Sequence, residues 1–323
     1  MMAQRMGRHA AVLWLALCGG AISAHATQTT ASTEFYPPWQ KGANNPSQDQ
    51  GFEFTVHEAD NLADFHGDIT NAKLVLYVGG NYFFAMAPLV QAFEAKHPEL
   101  KGKVYYETIP PGLLVRQMKA GGRITVGNMT WTAKPDAYFA GKIAVQRLID
   151  NGLLVGPPTI YATNQLAIMV PKGNPAHVKT LNDLGKPDIH LALSNPEFEG
   201  VARQIKASFE KAGGKALVDT VYEAKVRDGT TTLTRMHHRQ TPVWLMNGRA
   251  EAGVTWRSET IFQKESGLAT ESVDIPPEQN VTGIYSGAVV KDAAHPEEAK
   301  KWLAFLTSQG AQDIFARYGF GKP

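Results

Sequence analysis

Cysteine is nearly missing from this chain: one residue in 323, Cys18. It falls inside an apolar stretch near the start, so the rest of the chain can form no disulfide and do no thiol chemistry. An excess of either charge is missing too. The 32 Lys and Arg stand against 30 Asp and Glu, and setting aside Arg5 and Arg8 leaves 30 against 30. That balance gives no broad footprint for nucleic acid or an anionic membrane, so any recognition of charge must be local. HExxH, clustered Cys and GxSxG are absent as well. Without them the chain shows neither a zinc-protease site nor a hydrolase nucleophile elbow, and it reads as a binding protein, not an enzyme, with no cofactor.

Long apolar runs are also scarce. "AAVLWLALCGGAISA", residues 10–24, is too short and wrongly flanked to span a membrane. Arg5 and Arg8 precede it and the small-x-small triplet Ala24-His25-Ala26 follows it. This is the pattern of a signal peptide over residues 1–26, with cleavage expected after Ala26. Leu17, just before Cys18, is too large for the usual lipoprotein cleavage pattern. An exported chain without cysteine suits a bacterial periplasm. The remaining roughly 300 residues are enough for two packed lobes.

Residues 27–71 form a polar lead-in arm, rich in turn residues, in which "FEFTV" (52–56) alternates like a short edge strand. From Lys73 the chain repeats one unit. "KLVLYV" reads as a buried strand, Gly79-Gly80-Asn81 as a turn, and "FFAMAPLVQAFEAKHP" as a helix ending at Pro98. "KVYYETI", Pro110-Pro111-Gly112 and "LLVRQMKAGG" repeat the cycle. Later strands are expected at "NQLAIMV", "IHLAL", "AGVTW" and "IYSGAVV", helices at "VARQIKASFEKAGG" and "PEEAKKWLAFLTSQGAQDIFARYGF". Strand, glycine turn and helix in this order argue for an α/β fold with mostly parallel sheets.

Four turns precede helices: 79–81, 110–112, 199–201 and 237–241. Each helix start leaves N–H groups unpaired at a partial positive charge, and in open α/β sheets such turns gather beyond the carboxyl ends of the strands. Gly80, Asn81, Gly112, Gly200 and Val201 are therefore candidate anion donors. Thr241-Pro242 reads as an N-cap followed by a first-turn proline. His237 and His238 are adjacent and so point in different directions, and no carboxylate pair nearby completes a metal shell; no metal site is assigned. Arg239 can grip an anion through its planar fork or sit on a solvated face. Tyr82 and Trp256 can line a cleft or fill the core.

Taken together, "KLVLYVGGNYFFAMAPLVQAFEAKHP", "LLVRQMKAGG", "PDAYFAG", "LAIMVPKGNP", "TLNDLGKP", "LALSNPEFEGVA", "AEAGVTWRSE" and "AQDIFARYGF" resemble, in order, the periplasmic molybdate-binding protein family. The resemblance covers about 73–320. It implies a two-lobed periplasmic-binding-protein type II fold, each lobe a mostly parallel sheet flanked by helices, with two hinge crossings. Lobe 1 is expected at 72–162 plus 283–323, lobe 2 at 163–282.

The resemblance also implies capture of a small anion in the inter-lobe cleft, whether an oxyanion or a small organic anion, by a monomer that hands it to the membrane permease of an ABC importer. Matched to the family, the donor positions fall at Asn81, at Pro111 or Gly112, at Val201 and at His238, and the ligand-binding tyrosine falls at Trp256. The departures are Asn for serine, Trp for tyrosine, a proline pair in a donor turn, and an extra stretch at 122–134. An aromatic wall with Arg239 suits a larger organic anion. The rival readings are a metal-delivery protein using His237 and His238, and a sensor that keeps the cleft without transport.

Overall fold

The computed structural model describes residues 52–54, 64–126, 129–197, 199–234 and 237–323. The expected signal peptide, its cleavage site and most of the lead-in lie outside the described residues. In chain order the first part comprises β1 (Phe52–Phe54), β2 (Phe65–His66), β3 (Leu74–Gly79), α1 (Phe83–Lys96), β4 (Val104–Ile109), α2 (Pro111–Lys119), β5 (Arg123–Val126), β6 (Met129–Thr132), β7 (Ala137–Gly141), α3 (Lys142–Asp150) and β8 (Leu154–Asn164). There follow β9 (Leu166–Pro171), β10 (Leu191–Leu193), α4 (Val201–Asp219), α5 (Lys225–Arg227), β11 (Thr231–Leu233), α6 (Gln240–Met246), β12 (Ala252–Trp256), α7 (Arg257–Glu265), β13 (Thr270–Asp274), β14 (Gly283–Val290), α8 (Pro296–Leu306) and α9 (Gln309–Arg317).

The strands form two main sheets, one to a lobe. The six-stranded sheet has order β2-β4-β3-β7-β14-β8 and the five-stranded sheet has order β11-β10-β12-β9-β13. "LVLYVG" of β3 is buried along its whole length, as a central strand covered on both faces must be, and such strands read as unbroken apolar runs. The expectation of mostly parallel sheets is corrected. β3 pairs parallel with β4 and β7, and β10 with β11 and β12. The remaining pairs in both sheets are antiparallel. For β8 and β14 the reason is the crossing itself: β8 leaves one lobe and β14 returns to it, so the two run side by side in opposite directions, with Gly283 opposite Asn164.

That crossing is held by side chains. Asn280 accepts from the Leu166 N–H at 3.0 Å and donates to the Leu166 carbonyl at 2.9 Å. Asn164 donates to the Ser258 hydroxyl at 2.7 Å. The end of the chain adds a further tie, since Thr163 and Gly321 exchange two backbone hydrogen bonds of 2.9 Å.

The extra stretch at 122–134 contains a hairpin, β5 with β6, and β1 joins it parallel to β5. Trp131 fastens the hairpin to the six-stranded lobe by donating to the Tyr105 hydroxyl at 2.9 Å and meeting Phe65 edge-on.

Three local expectations also change. The single terminal helix is two, α8 and α9, because Ser308 is extended and Thr307 and Ser308 turn their hydroxyls back onto the carbonyls of Ala304 and Phe305. The helix expected to end at Gly213-Gly214 kinks there, with φ of 67° at Gly214, and resumes beyond. Thr241-Pro242 does not cap its helix: turn bonds from Gln240 to His237 and from Thr241 to His238 start the winding earlier, which places both residues inside α6. Among the described residues no helix is long and apolar enough to cross a membrane.

Candidate functional site

A cavity of about 560 Å³ opens where the helix starts of both lobes face each other. Asn81, Gly112, Gly200, Val201, His237, His238 and Trp256 line it, and Gly80, Tyr82 and Arg239 do not.

Each lining group is positioned by its element. Asn81 sits in a single 3-10 turn between β3 and α1 and is 8% exposed, with its amide nitrogen buried and unpaired. At the start of α2, Pro110 and Pro111 have no N–H, so Gly112 supplies the first one. α4 begins at Val201 with Gly200 as its cap and no side chain closing it; Ala202 and Arg203 bond back to Glu199 and Gly200, which leaves the Gly200 and Val201 N–H groups and the partial positive charge at the cavity. Trp256 is 5% exposed and lies against Gly283, where an added Cβ would come within 2.3 Å of the indole.

The histidines have separate tasks. His237 Nδ1 accepts the Arg239 backbone N–H at 3.1 Å, so its proton sits on Nε2 and that nitrogen is a donor. Burial, then the nearby His238 and Arg239 charges, hold its pKa well below 6.5, keeping it neutral. His238 Nδ1 donates to Glu199 Oε2 at 2.9 Å, and the His238 backbone N–H donates to the same oxygen at 2.6 Å. Glu199 Oε1 takes the Thr234 hydroxyl and the Asn195 N–H. His238 Nε2 is buried without a hydrogen-bond partner, 3.4 Å from Glu259 Oε2. Burial raises the pKa of Glu259, against the opposing pull of His238.

Glu199, His237 and His238 each offer an atom within 4.8 Å of the others, a spacing that could hold a metal ion. Their hydrogen bonds tie Glu199 to His238 Nδ1 and leave the His237 ring proton on Nε2. Glu199 is committed to His238, Thr234 and Asn195. For His237 Nε2 to ligate, the ring proton would have to move to Nδ1 and point at the Arg239 N–H.

The three remaining candidates lie behind the cavity wall. The Tyr82 hydroxyl pairs with that of Tyr161 at 2.7 Å, and its ring is enclosed by Tyr285, Phe315 and Phe320. Gly80 is covered by His237 and Arg239: an added Cβ would lie 2.9 Å from His237 Nε2 and 2.8 Å from Arg239 Nη2. Arg239 spends its guanidinium on the carbonyls of Gly80 and Thr108.

Other lining groups escaped the sequence reading. Tyr285, in β14, is 4% exposed and its hydroxyl is buried in the cavity wall, facing the Asn164 and Asn81 side chains without a close hydrogen bond; burial raises its pKa well above 10, so it is a hydroxyl donor. Lys119, Lys142, Arg147 and Arg203 line the outer part. β14 had the alternation of a strand, but nothing in it said which face meets the cleft.

Two mixed sheets joined by paired crossing strands, with helix starts from both meeting at one cavity, define a two-lobed solute-binding protein. The bacterial extracellular solute-binding protein family matches residues 74–321, and the chain belongs to it. It is 27% identical over 245 residues to the molybdate-binding protein ModA of Mycobacterium tuberculosis, covering 74% of this chain and 84% of that one. Among solved structures its fold is similar to the sulfate-binding protein SubI from Mycobacterium tuberculosis, with TM-score 0.64, 17% identity and coverage of 76% and 85%. It is also similar to the Azotobacter vinelandii periplasmic molybdate-binding protein, with TM-score 0.61, 16% identity and coverage of 77% and 99%.

Proposed function

We propose that this protein captures a small anion in the cleft between its lobes, in the periplasm, and presents it as a monomer to the membrane permease of an ABC importer. The lobes run over 72–162 plus 283–323 and over 163–282. One observation carries the reading: Asn81 Nδ2 and the Tyr285 hydroxyl are both buried without a close hydrogen-bond partner, and both belong to residues lining one cavity. A buried polar group left unsatisfied costs about 1–3 kcal/mol, so a ligand that pairs with them gains what the empty cleft forgoes. The helix starts at Gly112 and Val201 and the His237 Nε2–H add donors without formal charge. The relatives' names, molybdate-binding and sulfate-binding, point to the same ligand class.

The donors come from both lobes, so a bound anion favours the closed form. The metal-delivery reading is weaker, because Glu199 is already committed to His238, Thr234 and Asn195 and His237 Nε2 carries the ring proton. The test is a thermal-shift and calorimetric screen of the exported protein against oxyanions, small organic acids and transition metals. An anion at a hundredfold excess over its Kd should stabilise by about 2.7 kcal/mol, and Asn81→Ala should weaken that response. A shift with metals alone would sink the anion reading.

A further inference from the structure

The outer part of the cleft differs in chemistry from the inner part. Asn81, His237 and Tyr285 are at most 8% exposed and offer neutral donors. Lys119, Lys142, Arg147 and Arg203, by contrast, are exposed side chains lining the same cavity. They come from three helices: α2 gives Lys119, α3 gives Lys142 and Arg147, and α4, in the other lobe, gives Arg203. None of the four is in an ion pair among the described residues. The acids in the same wall are Glu199, already committed to His238 and Thr234, and Glu197, an exposed residue before α4. Val115, Ala144 and Leu148 supply apolar surface in the same wall.

A chain with balanced total charge thus concentrates cations at one mouth. Closing the lobes brings Arg147 and Lys142 toward Arg203, and like charges brought together oppose closure unless an anion lies between them. A cavity of about 560 Å³ is also of the size that takes an organic ligand with tens of atoms, larger than a four-oxygen ion needs.

Building on the anion-capture reading above, we infer that the solute is an organic anion with two acidic groups joined by a short carbon chain. One acid group meets Asn81, Tyr285, His237 and the helix starts at Gly112 and Val201. The carbon chain lies on Val115, Ala144 and Leu148. The second acid group lies between Arg147 and Lys142 of one lobe and Arg203 of the other, and so neutralises the repulsion that resists closure. Arginine suits this position because its planar fork takes a carboxylate or phosphonate through two parallel hydrogen bonds.

The experiment is calorimetric titration of the exported protein with matched probes: methylphosphonate against 3-phosphonopropionate, acetate against succinate, with sulfate, phosphate and molybdate as compact ions. The two-headed member of at least one pair should bind roughly tenfold or more tightly than its one-headed partner. In the double variant Arg147→Ala/Arg203→Ala, which changes exposed residues only, the two members should come within about threefold of each other. One-headed or compact ions binding as tightly as the two-headed probes would overturn the inference and leave anion capture standing. So would a preference that survives in the double variant. Failure of every probe would overturn both readings together.

Discussion

Arg239 of the five-stranded lobe donates through Nη2 to the carbonyl of Thr108, in the six-stranded lobe, at 2.5 Å. The same nitrogen reaches the Thr108 hydroxyl at 3.0 Å, Nε reaches the Gly80 carbonyl at 3.0 Å, and the guanidinium lies 4.2 Å from the centre of the Phe83 ring. Burial lowers its pKa to about 10, so it is still a cation at neutral pH. All of these partners belong to the opposite lobe. Arg239 therefore acts on closure, and its charge is spent on carbonyls, not on the solute.

Arg239→Ala should shift the ligand-free protein toward an open form. Losing charged hydrogen bonds of this kind costs about 1–3 kcal/mol, which lowers the affinity for the solute by roughly 5- to 150-fold, because binding must then draw on a smaller closed population. Small-angle scattering should give a larger radius of gyration for the ligand-free variant than for the parent, the two converging at saturation. Arg239→Lys keeps the charge but not the fork and should fall between them. Equal radii and equal affinities for parent and alanine variant would show that the contact does not hold the lobes.

Gly283→Ala tests the crossing strand. Its new Cβ would meet the Trp256 indole at 2.3 Å, and a second indole carbon at 2.7 Å. Trp256 bridges β12 to β14, lies edge-on to Tyr285 and lines the cavity, so it must tilt into the cleft or out of the hinge. Overpacking of this kind typically costs about 1–3 kcal/mol. The expected result is a lower melting temperature, weaker solute binding and an altered tryptophan emission maximum. Unchanged emission together with unchanged affinity would show that the hinge absorbs the methyl group elsewhere.

The strand-turn-helix units at 74–96 and 104–119 were legible because β3 is an unbroken apolar run, β4 opens with Val104-Tyr105-Tyr106, and each turn needs glycine or proline. β8 was not, because Gly156, Pro157 and Pro158 are residue types that usually interrupt a strand; it lies at a sheet edge, where proline loses no ladder bond. β13, "TESVD", is short, polar and mostly exposed, and lies at the other sheet's edge. In the cleft, the helix starts could be read from glycine and proline. The work of Arg239 could not, since a cation's partners are set by the approach of segments 131 and 159 residues away. Trp256 was left between cleft and core and belongs to both: nearly buried, yet part of the cavity wall.

His237 should make acid destabilise the protein. Burial, with His238 and Arg239 nearby, lowers its folded pKa below the unfolded value of 6.5. Between those two values the unfolded chain binds more protons, so stability falls as pH drops below about 6.5 and is fully present above it. His237→Gln offers an N–H donor but cannot titrate. The melting temperature of the parent minus that of His237→Gln should fall between pH 7 and pH 5, which leaves out any titration the two share. Solute affinity should fall only a few-fold in His237→Gln and about tenfold or more in His237→Ala, the usual scale for a lost hydrogen bond of about 1–2 kcal/mol. A parent and glutamine variant that lose stability in parallel would place the acid sensitivity elsewhere.

Glu107 should give the opposite slope at higher pH. It is fully buried in β4, where Oε1 accepts from the Tyr105 hydroxyl and from Gln117 Nε2, each at 3.0 Å, and Oε2 has no hydrogen-bond partner. Burial pushes its carboxyl up to about 8 from the ordinary 4.5, against the lowering effect of those two donors. The folded state therefore holds a proton that the unfolded chain releases, and stability declines as pH rises from 4.5 to about 8. The shift sets a ceiling of roughly 4–5 kcal/mol on the loss. Glu107→Gln keeps an acceptor for both donors and adds no ionisable group. The urea midpoint of the parent minus that of the variant should fall from pH 5 to pH 7 and again to pH 9. If the variant loses stability toward pH 9 as steeply as the parent, the buried carboxyl does not set the alkaline limit. If it does not, Glu107 and His237 together bound the window of greatest stability from its two sides.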